Sequence, residues 1–294
     1  MRRIPLFLAL LAMLLGATSD AEHIQIGGRD VAIWKPSGPA PAEGYPIILF
    51  SHGFGGCNTQ TTFLMDAFAQ AGYLVVAPNH QDARCGSARH ANRGAGFRSA
   101  RGNRPEEPFQ KPAEWSDATY RDREADIKAI LDEIAAAKSF HGVPVDANRI
   151  GISGHSLGGY TALGVAGAWP SWKDPRIKAV LALSPFSTPY VQQGDLGHMN
   201  VPVMYQGGTL DLGVTPTVRK SQGAYNRSSA PKYYIEFGGA GHFAWTDLNH
   251  RYCDVIDAYS LAFFDEYLRG KSEPLKALMG SGRRKEVSYL RAQP

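Results

Sequence analysis

The sequence is poor in cysteine, with three in 294 residues, and poor in net charge, at +4. The mild charge provides no concentrated basic face, so nucleic-acid binding is not expected. A chain of this length buries a sizeable core without metal or disulfide staples, so scarce cysteine is no obstacle to folding. Its apolar N-terminal run, Ile4 to Leu15, is short for a membrane span. No cysteine follows that run closely, which argues against a lipid-anchored lipoprotein. There is no internal repeat and no sign of a second domain. The apolar fraction of 44% and charged fraction of 20% are those of a soluble globular protein.

Arg2 and Arg3 precede the apolar run, and "GATSDAE" follows it, with Ser19 and Ala21 at −3 and −1. The pattern predicts a secretory signal over 1–21, hence a secreted or periplasmic protein with no stable membrane anchor after cleavage. The alternative is an uncleaved anchor. Residues 22–294 are then expected to form one domain. Export permits a disulfide. Cys57 and Cys85 both lie just beyond strands expected to be neighbours and are the preferred pair, against the alternative of three free thiols.

Short β-branched runs alternate with amphipathic segments. Strands are expected at 31–34, 46–51, 73–78, 149–154, 178–185, 202–208 and 232–237. Helices are expected near 61–71, 119–137, 216–225 and 254–268; in the second, Ile127, Ile130, Leu131 and Ile134 repeat at helical spacing. The alternation implies an α/β fold, a mostly parallel sheet with helices on both faces. Residues 82–114 show no period and collect Arg84, Arg89, Arg93, Arg98, Arg101 and Arg104. They read as a surface loop or as a lid. The tail after Gly280 reads as a short strand or as disorder.

The segment "RIGISGHSLGGYTALGVAG" crowds glycines around Ser156. "GHSLG" matches G-x-S-x-G and sits between a predicted strand and a predicted helix, where the motif builds a sharp turn that exposes the serine. Gly154 and Gly158 are expected to relieve crowding there, and Gly159 to let the helix approach the sheet. A serine hydroxyl needs a base, and the base an orienting carboxylate. Asp211 follows the strand "PVMYQGG", and His242 lies in "GGAGHF" after the next strand, so both are expected at strand C-terminal ends. Asp195 is the weaker candidate acid. His52, His80 and His155 are expected to make structural hydrogen bonds. "FSHGFGG" supplies a glycine-rich turn whose Phe54 N–H, with that of Leu157, is the candidate oxyanion hole. Phe54, Tyr160, Phe186 and Trp245 are candidate apolar walls for substrate.

With "FSHGFGG", "YLVVAPNHQDA", "DANRIGISGHSLGG", "GGTLD" and "GAGHF" in this order, the chain resembles the α/β-hydrolases. It is most similar to their platelet-activating-factor acetylhydrolase and dienelactone-hydrolase-like branch. It also resembles cutinases and polyester hydrolases. The resemblance implies hydrolysis of carboxylic esters with Ser156, Asp211 and His242 as a triad, and no cofactor or metal. Dienelactone hydrolases use cysteine where this chain has Ser156, so their substrate is not carried over. The expected substrate is a small-molecule or polymeric ester with a short acyl or small aromatic group. An acyltransferase using the same acyl-enzyme, or a binding module on this scaffold, are the competing expectations. Oligomeric state is left open.

Overall fold

A computed structural model describes residues 21–84 and 109–294. All but Ala21 of the predicted signal over 1–21, and most of the arginine-rich segment 82–114, therefore lie outside the described residues. In chain order the elements are β1 (Glu22–Ile26), β2 (Arg29–Trp34), β3 (Tyr45–Ser51), α1 (Thr62–Gln70), β4 (Leu74–Pro78), α2 (Arg121–Ala136), β5 (Ser139–Phe140), β6 (Val143–His155) and α3 (Leu157–Leu163). There follow β7 (Ile177–Leu183), α4 (Thr188–Gln192), β8 (Val203–Gly208), α5 (Thr215–Arg219), α6 (Ala224–Arg227), β9 (Lys232–Phe237), α7 (Cys253–Arg269), α8 (Glu273–Met279) and β10 (Val287–Gln293).

The strands form one sheet in the order β1-β2-β4-β3-β6-β7-β8-β9-β10. From β4 to β9 every neighbouring pair is parallel, whereas β1, β2 and β10 add antiparallel edges. Side chains alternate across a strand, and here both faces are covered. Ile47 and Leu49 of β3 join the cluster holding Ile127, Ile130, Leu131 and Ile134 of α2. Ile48 and Phe50 join Leu64, Met65 and Phe68 of α1 with Ile256, Tyr259 and Phe263 of α7. Two-sided burial explains why β3 reads as an unbroken apolar run rather than an alternating one. Each fully buried large aliphatic or aromatic side chain contributes about 1.5–3 kcal/mol. This is the α/β-hydrolase fold, an open and mostly parallel sheet between helical layers.

Two expectations change in detail. The single helix expected near 216–225 is two short ones, because Lys220 leaves helical dihedrals at φ −56° and ψ 161°. The tail, which reads as a short strand or as disorder, supplies β10, which pairs with β9. Cys57 is disulfide-bonded and Cys253 is a free thiol; the expected partner Cys85 lies outside the described residues.

Candidate active site

The central strands β3, β6, β7, β8 and β9 run parallel, so their C-terminal ends share one rim of the sheet. β6 passes into α3 through Ser156, which holds φ +55° and ψ −115°, a strained conformation for a residue with a side chain. The neighbouring glycines make the turn possible. A Cβ on Gly154 would lie 2.2 Å from the Gly158 carbonyl oxygen, and one on Gly158 would lie 1.8 Å from that of Ser51. A Cβ on Gly159 would lie 2.6 Å from Cβ of Pro185, so its absence lets α3 close onto the sheet.

The loops after β8 and β9 are stitched together. Thr209 N–H donates to Phe237 O at 3.1 Å, and Leu210 N–H to Ala240 O at 2.9 Å. Asp211 and His242 are thereby held side by side. His242 Nε2 lies 2.9 Å from Ser156 Oγ, and its Nδ1 lies 3.1 Å from Asp211 Oδ2. Asp211 is 3% exposed, while the His242 side chain retains 28% of its surface toward the cleft. Burial opposes the charge on Asp211. Hydrogen bonds from His242 and Ser184 outweigh it, and hold the carboxyl below its ordinary value. Hydroxyl, imidazole and carboxylate thus form a continuous chain, in the geometry that lets a serine lose its proton during attack.

The turn after β3 is ordered from two sides. Gly56 N–H closes it onto Gly53 O at 3.0 Å, with Gly55 at φ +65°. Gly53 N–H donates to Gln60 Oε1, and Gly55 N–H to Asp82 Oδ2, each at 3.0 Å. Among the described residues no acceptor takes the Phe54 N–H. Leu157 opens α3, where the first N–H groups have no intrahelical partner. Gln60 also donates to His155 Nδ1 at 3.1 Å, and His155 Nε2 donates to His242 O at 2.8 Å. This chain links the turn, the residue before Ser156 and the histidine loop. Burial and the adjacent His242 push His155 down to about 3, so its ring is neutral.

A second cluster lies beneath the same turn. Arg123, fully buried, forms a bidentate pair with Asp82 at 3.0 and 2.8 Å and donates to His52 O at 2.8 Å. Burial raises Asp82, but the Arg123 charge and bonds overcome this and hold it well below the carboxylate range. His52 and His80 are both pushed well below their ordinary value, first by burial and then by Arg123. His80 bonds Ser51 Oγ at 2.8 Å and Asp126 Oδ2 at 2.9 Å. The expected structural hydrogen bonds of the three histidines are present, whereas sequence reasoning finds neither Arg123, whose partners are 41 and 71 residues away, nor Gln60, which joins Gly53 to His155 95 residues on.

A cleft of about 620 Å³ opens at Ser156 and His242, lined by Phe54, Phe109, Phe186, Phe243 and Leu248 among others. Phe54 and Phe186 therefore stand where substrate walls were expected. Tyr160 and Trp245 do not, and that expectation is corrected: both are fully buried and outside the lining. Tyr160 Oη donates to Thr119 O at 2.9 Å, and Trp245 Nε1 to Gln206 Oε1 at 2.9 Å. Each ring fills core and has spent its polar atom there. Asp195 is away from His242 in the hydrogen bonding and instead caps a short helix, accepting from Gly197 N–H at 3.0 Å. Ser184 was missed; its hydroxyl touches both Asp211 and His242.

The chain matches known families over both halves. Residues 20–107 match the family described as platelet-activating factor acetylhydrolase, isoform II. Cutinase 1 of Thermobifida cellulosilytica is 30% identical over 126 residues, 42% of this chain and 43% of the relative. Cutinase est2 of Thermobifida alba is 30% identical over 232 residues, covering 78% of this chain and 62% of the relative. Chlorophyllase type 0 of Chenopodium album is 24% identical over 233 residues, with 76% and 59% covered. The chain thus spans less than two thirds of the length of each of these relatives. Residues 116–276, more than half of the chain and including Ser156, Asp211 and His242, match the family described as PET hydrolase-like, and to that family of α/β-hydrolase proteins this chain belongs.

Proposed function

We propose that this protein is an exported serine hydrolase of carboxylic esters, folded as one α/β-hydrolase domain over 22–294. The observation that carries the reading is the Ser156–His242–Asp211 hydrogen-bonded chain opening into an apolar cleft. Ser156 Oγ attacks the ester carbonyl carbon while His242 Nε2 accepts its proton. The resulting oxyanion is held by the N–H groups of Phe54 and Leu157, each such donor stabilising the transition state by about 2.7–4 kcal/mol. The C–O bond to the alcohol breaks, and the alcohol leaves with the proton from Nε2. Water then attacks the acyl-serine, giving its proton to His242, and Ser156 recovers that proton as the acid departs. Asp211 remains ionised throughout, orienting the ring and stabilising the imidazolium. These steps require no metal or cofactor.

The substrate class follows from the walls. Aromatic side chains line the cleft, and Leu210, Leu212, Phe243 and Leu248 stand at or beside the loops that carry Asp211 and His242, 65%, 77%, 49% and 81% exposed. Phe243 and Leu248 also line the cleft, and exposed apolar side chains there suit contact with an apolar surface. We read the cleft as taking a short acyl or small aromatic group, and the apolar mouth as resting on the remainder of a larger or polymeric ester.

The test compares p-nitrophenyl butyrate, a long-chain p-nitrophenyl ester and an amorphous aromatic polyester film. The wild type is expected to turn over the butyrate fastest and to release soluble product from the film more slowly. Ser156→Ala is expected to lose at least about a thousandfold in kcat. Unchanged butyrate hydrolysis in that variant overturns the mechanism. Preference for the long-chain ester overturns the substrate reading.

A further inference from the structure

Ser184 follows β7 directly, is fully buried and holds φ +42°, in the left-handed region where a residue with a Cβ is disfavoured by about 1–2 kcal/mol. Its backbone is anchored, its N–H donating to Gln206 O of β8 at 2.8 Å. Its hydroxyl donates to Asp211 Oδ2, and the same oxygen lies 3.0 Å from His242 Nδ1. An ionised carboxylate offers no proton, so the serine proton points at Asp211 and a lone pair of Oγ faces the imidazole. Nδ1 therefore has two acceptors before it, Oγ of Ser184 and Oδ2 of Asp211. The ring proton belongs on Nδ1, and Nε2 presents its lone pair to Ser156 at 2.9 Å.

We propose that Ser184 is a positioning residue of the ester-hydrolase site, a fourth member of the Ser156–His242–Asp211 chain that fixes the carboxylate and the histidine tautomer together. The proposal rests on the hydrolase reading and adds a residue to it. Nothing in packing requires a hydroxyl at this position, and glycine suits its dihedrals better. A strained, buried side chain whose one polar atom contacts both the acid and the base is accounted for by the work of that atom. The carboxyl of Asp211 is held below its ordinary value in part by this bond. The interaction strengthens as the imidazole becomes imidazolium, because the Nδ1 proton is then more positive and both acceptors gain. It therefore acts more on the transition state than on the bound ester.

The experiment measures kcat and KM for p-nitrophenyl butyrate in wild type, Ser184→Ala, Ser184→Gly and Ser156→Ala. Thermal melts establish that each variant is folded. Glycine removes the hydroxyl while relieving the backbone, and alanine removes it while keeping the strain. A hydroxyl role predicts that both lower kcat by about 10- to 100-fold, the scale of a hydrogen bond to a charged group. KM should stay within about twofold, as for an interaction made in the transition state. Wild-type kcat in either Ser184 variant, or a loss carried by KM, overturns the proposal. The Ser156→Ala arm is read separately: if activity persists there, the hydrolase reading fails and the role of Ser184 fails with it.

Discussion

Two clusters of histidine and aspartate flank the turn after β3, built from similar parts for different ends. At the sheet rim, His242 lies between Ser156 and Asp211 with 28% of its side chain open to the cleft. Below it, His52 and His80 are 0% and 2% exposed and sit beside Arg123 and Asp82. Burial with a fixed positive charge keeps both lower rings neutral, so no proton can be taken up there near neutral pH. The guanidinium spends its hydrogen bonds on Asp82 and on the His52 carbonyl, His52 on the Gly53 carbonyl, and His80 on Ser51 and Asp126. Access to the cleft separates a group placed to move a proton from one that shapes a loop; a partner hydroxyl does not, since buried His80 has Ser51. The comparison teaches that a histidine and an aspartate in contact are not by themselves a catalytic pair.

The largest effect that would break this contrast lies at Arg123. Arg123→Met leaves Asp82 buried without its partner, a loss of about 3–5 kcal/mol for a buried ion pair. It also frees the His52 carbonyl and loosens the turn that carries Phe54. A marked fall in melting temperature is expected, together with more than tenfold loss of kcat. Arg123→Met with Asp82→Asn removes the uncompensated charge, and is expected to recover much of the melting temperature but not the activity. Recovery of both in the double variant would mean that the lower cluster only stabilises the fold.

A smaller effect sharpens the same point away from the cleft. On α7, Asp257 is pushed up to about 8 by burial and then by Asp254, and its Oδ1 has no hydrogen-bond partner among the described residues. A carboxyl raised on folding stabilises the native state fully at pH values below its unfolded value, near 3.9. That contribution is lost as pH rises through about 8. Asp257→Asn should therefore melt progressively higher than wild type from mildly acidic pH to pH 8, the gain levelling off above it, with butyrate hydrolysis unchanged. A pH-independent difference in melting temperature would contradict this linkage.

Much of the architecture was readable because burial on both faces leaves a plain trace: runs such as "PIILFS" and "KAVLAL" are too apolar for a surface strand and too short for most helices. The meeting of Ser156, Asp211 and His242 was readable for a related reason. Parallel strands place successive loops on one rim, so chain order translates into proximity. Tyr160 and Trp245 were misjudged because adjacency to Ser156 and His242 in sequence says nothing about which way a ring turns. α3 and the short helix His242–Trp245 point both rings into the core, where their polar atoms find Thr119 and Gln206. Ser184 and Arg123 left no local trace at all. Ser184 looks like any serine at a strand end until its dihedral and its two contacts are known. Arg123 occupies a helical position beside an apolar stripe, and its partners Asp82 and His52 lie 41 and 71 residues away.

The most direct measurement is covalent trapping of the nucleophile. The folded protein is treated with a fluorophosphonate, digested, and mapped by mass spectrometry, alongside Ser156→Ala and His242→Ala. The account predicts a single adduct on the peptide carrying Ser156, greatly slowed labelling in His242→Ala, and none at that peptide in Ser156→Ala. Labelling that proceeds at another residue and at the same rate in both variants would contradict it.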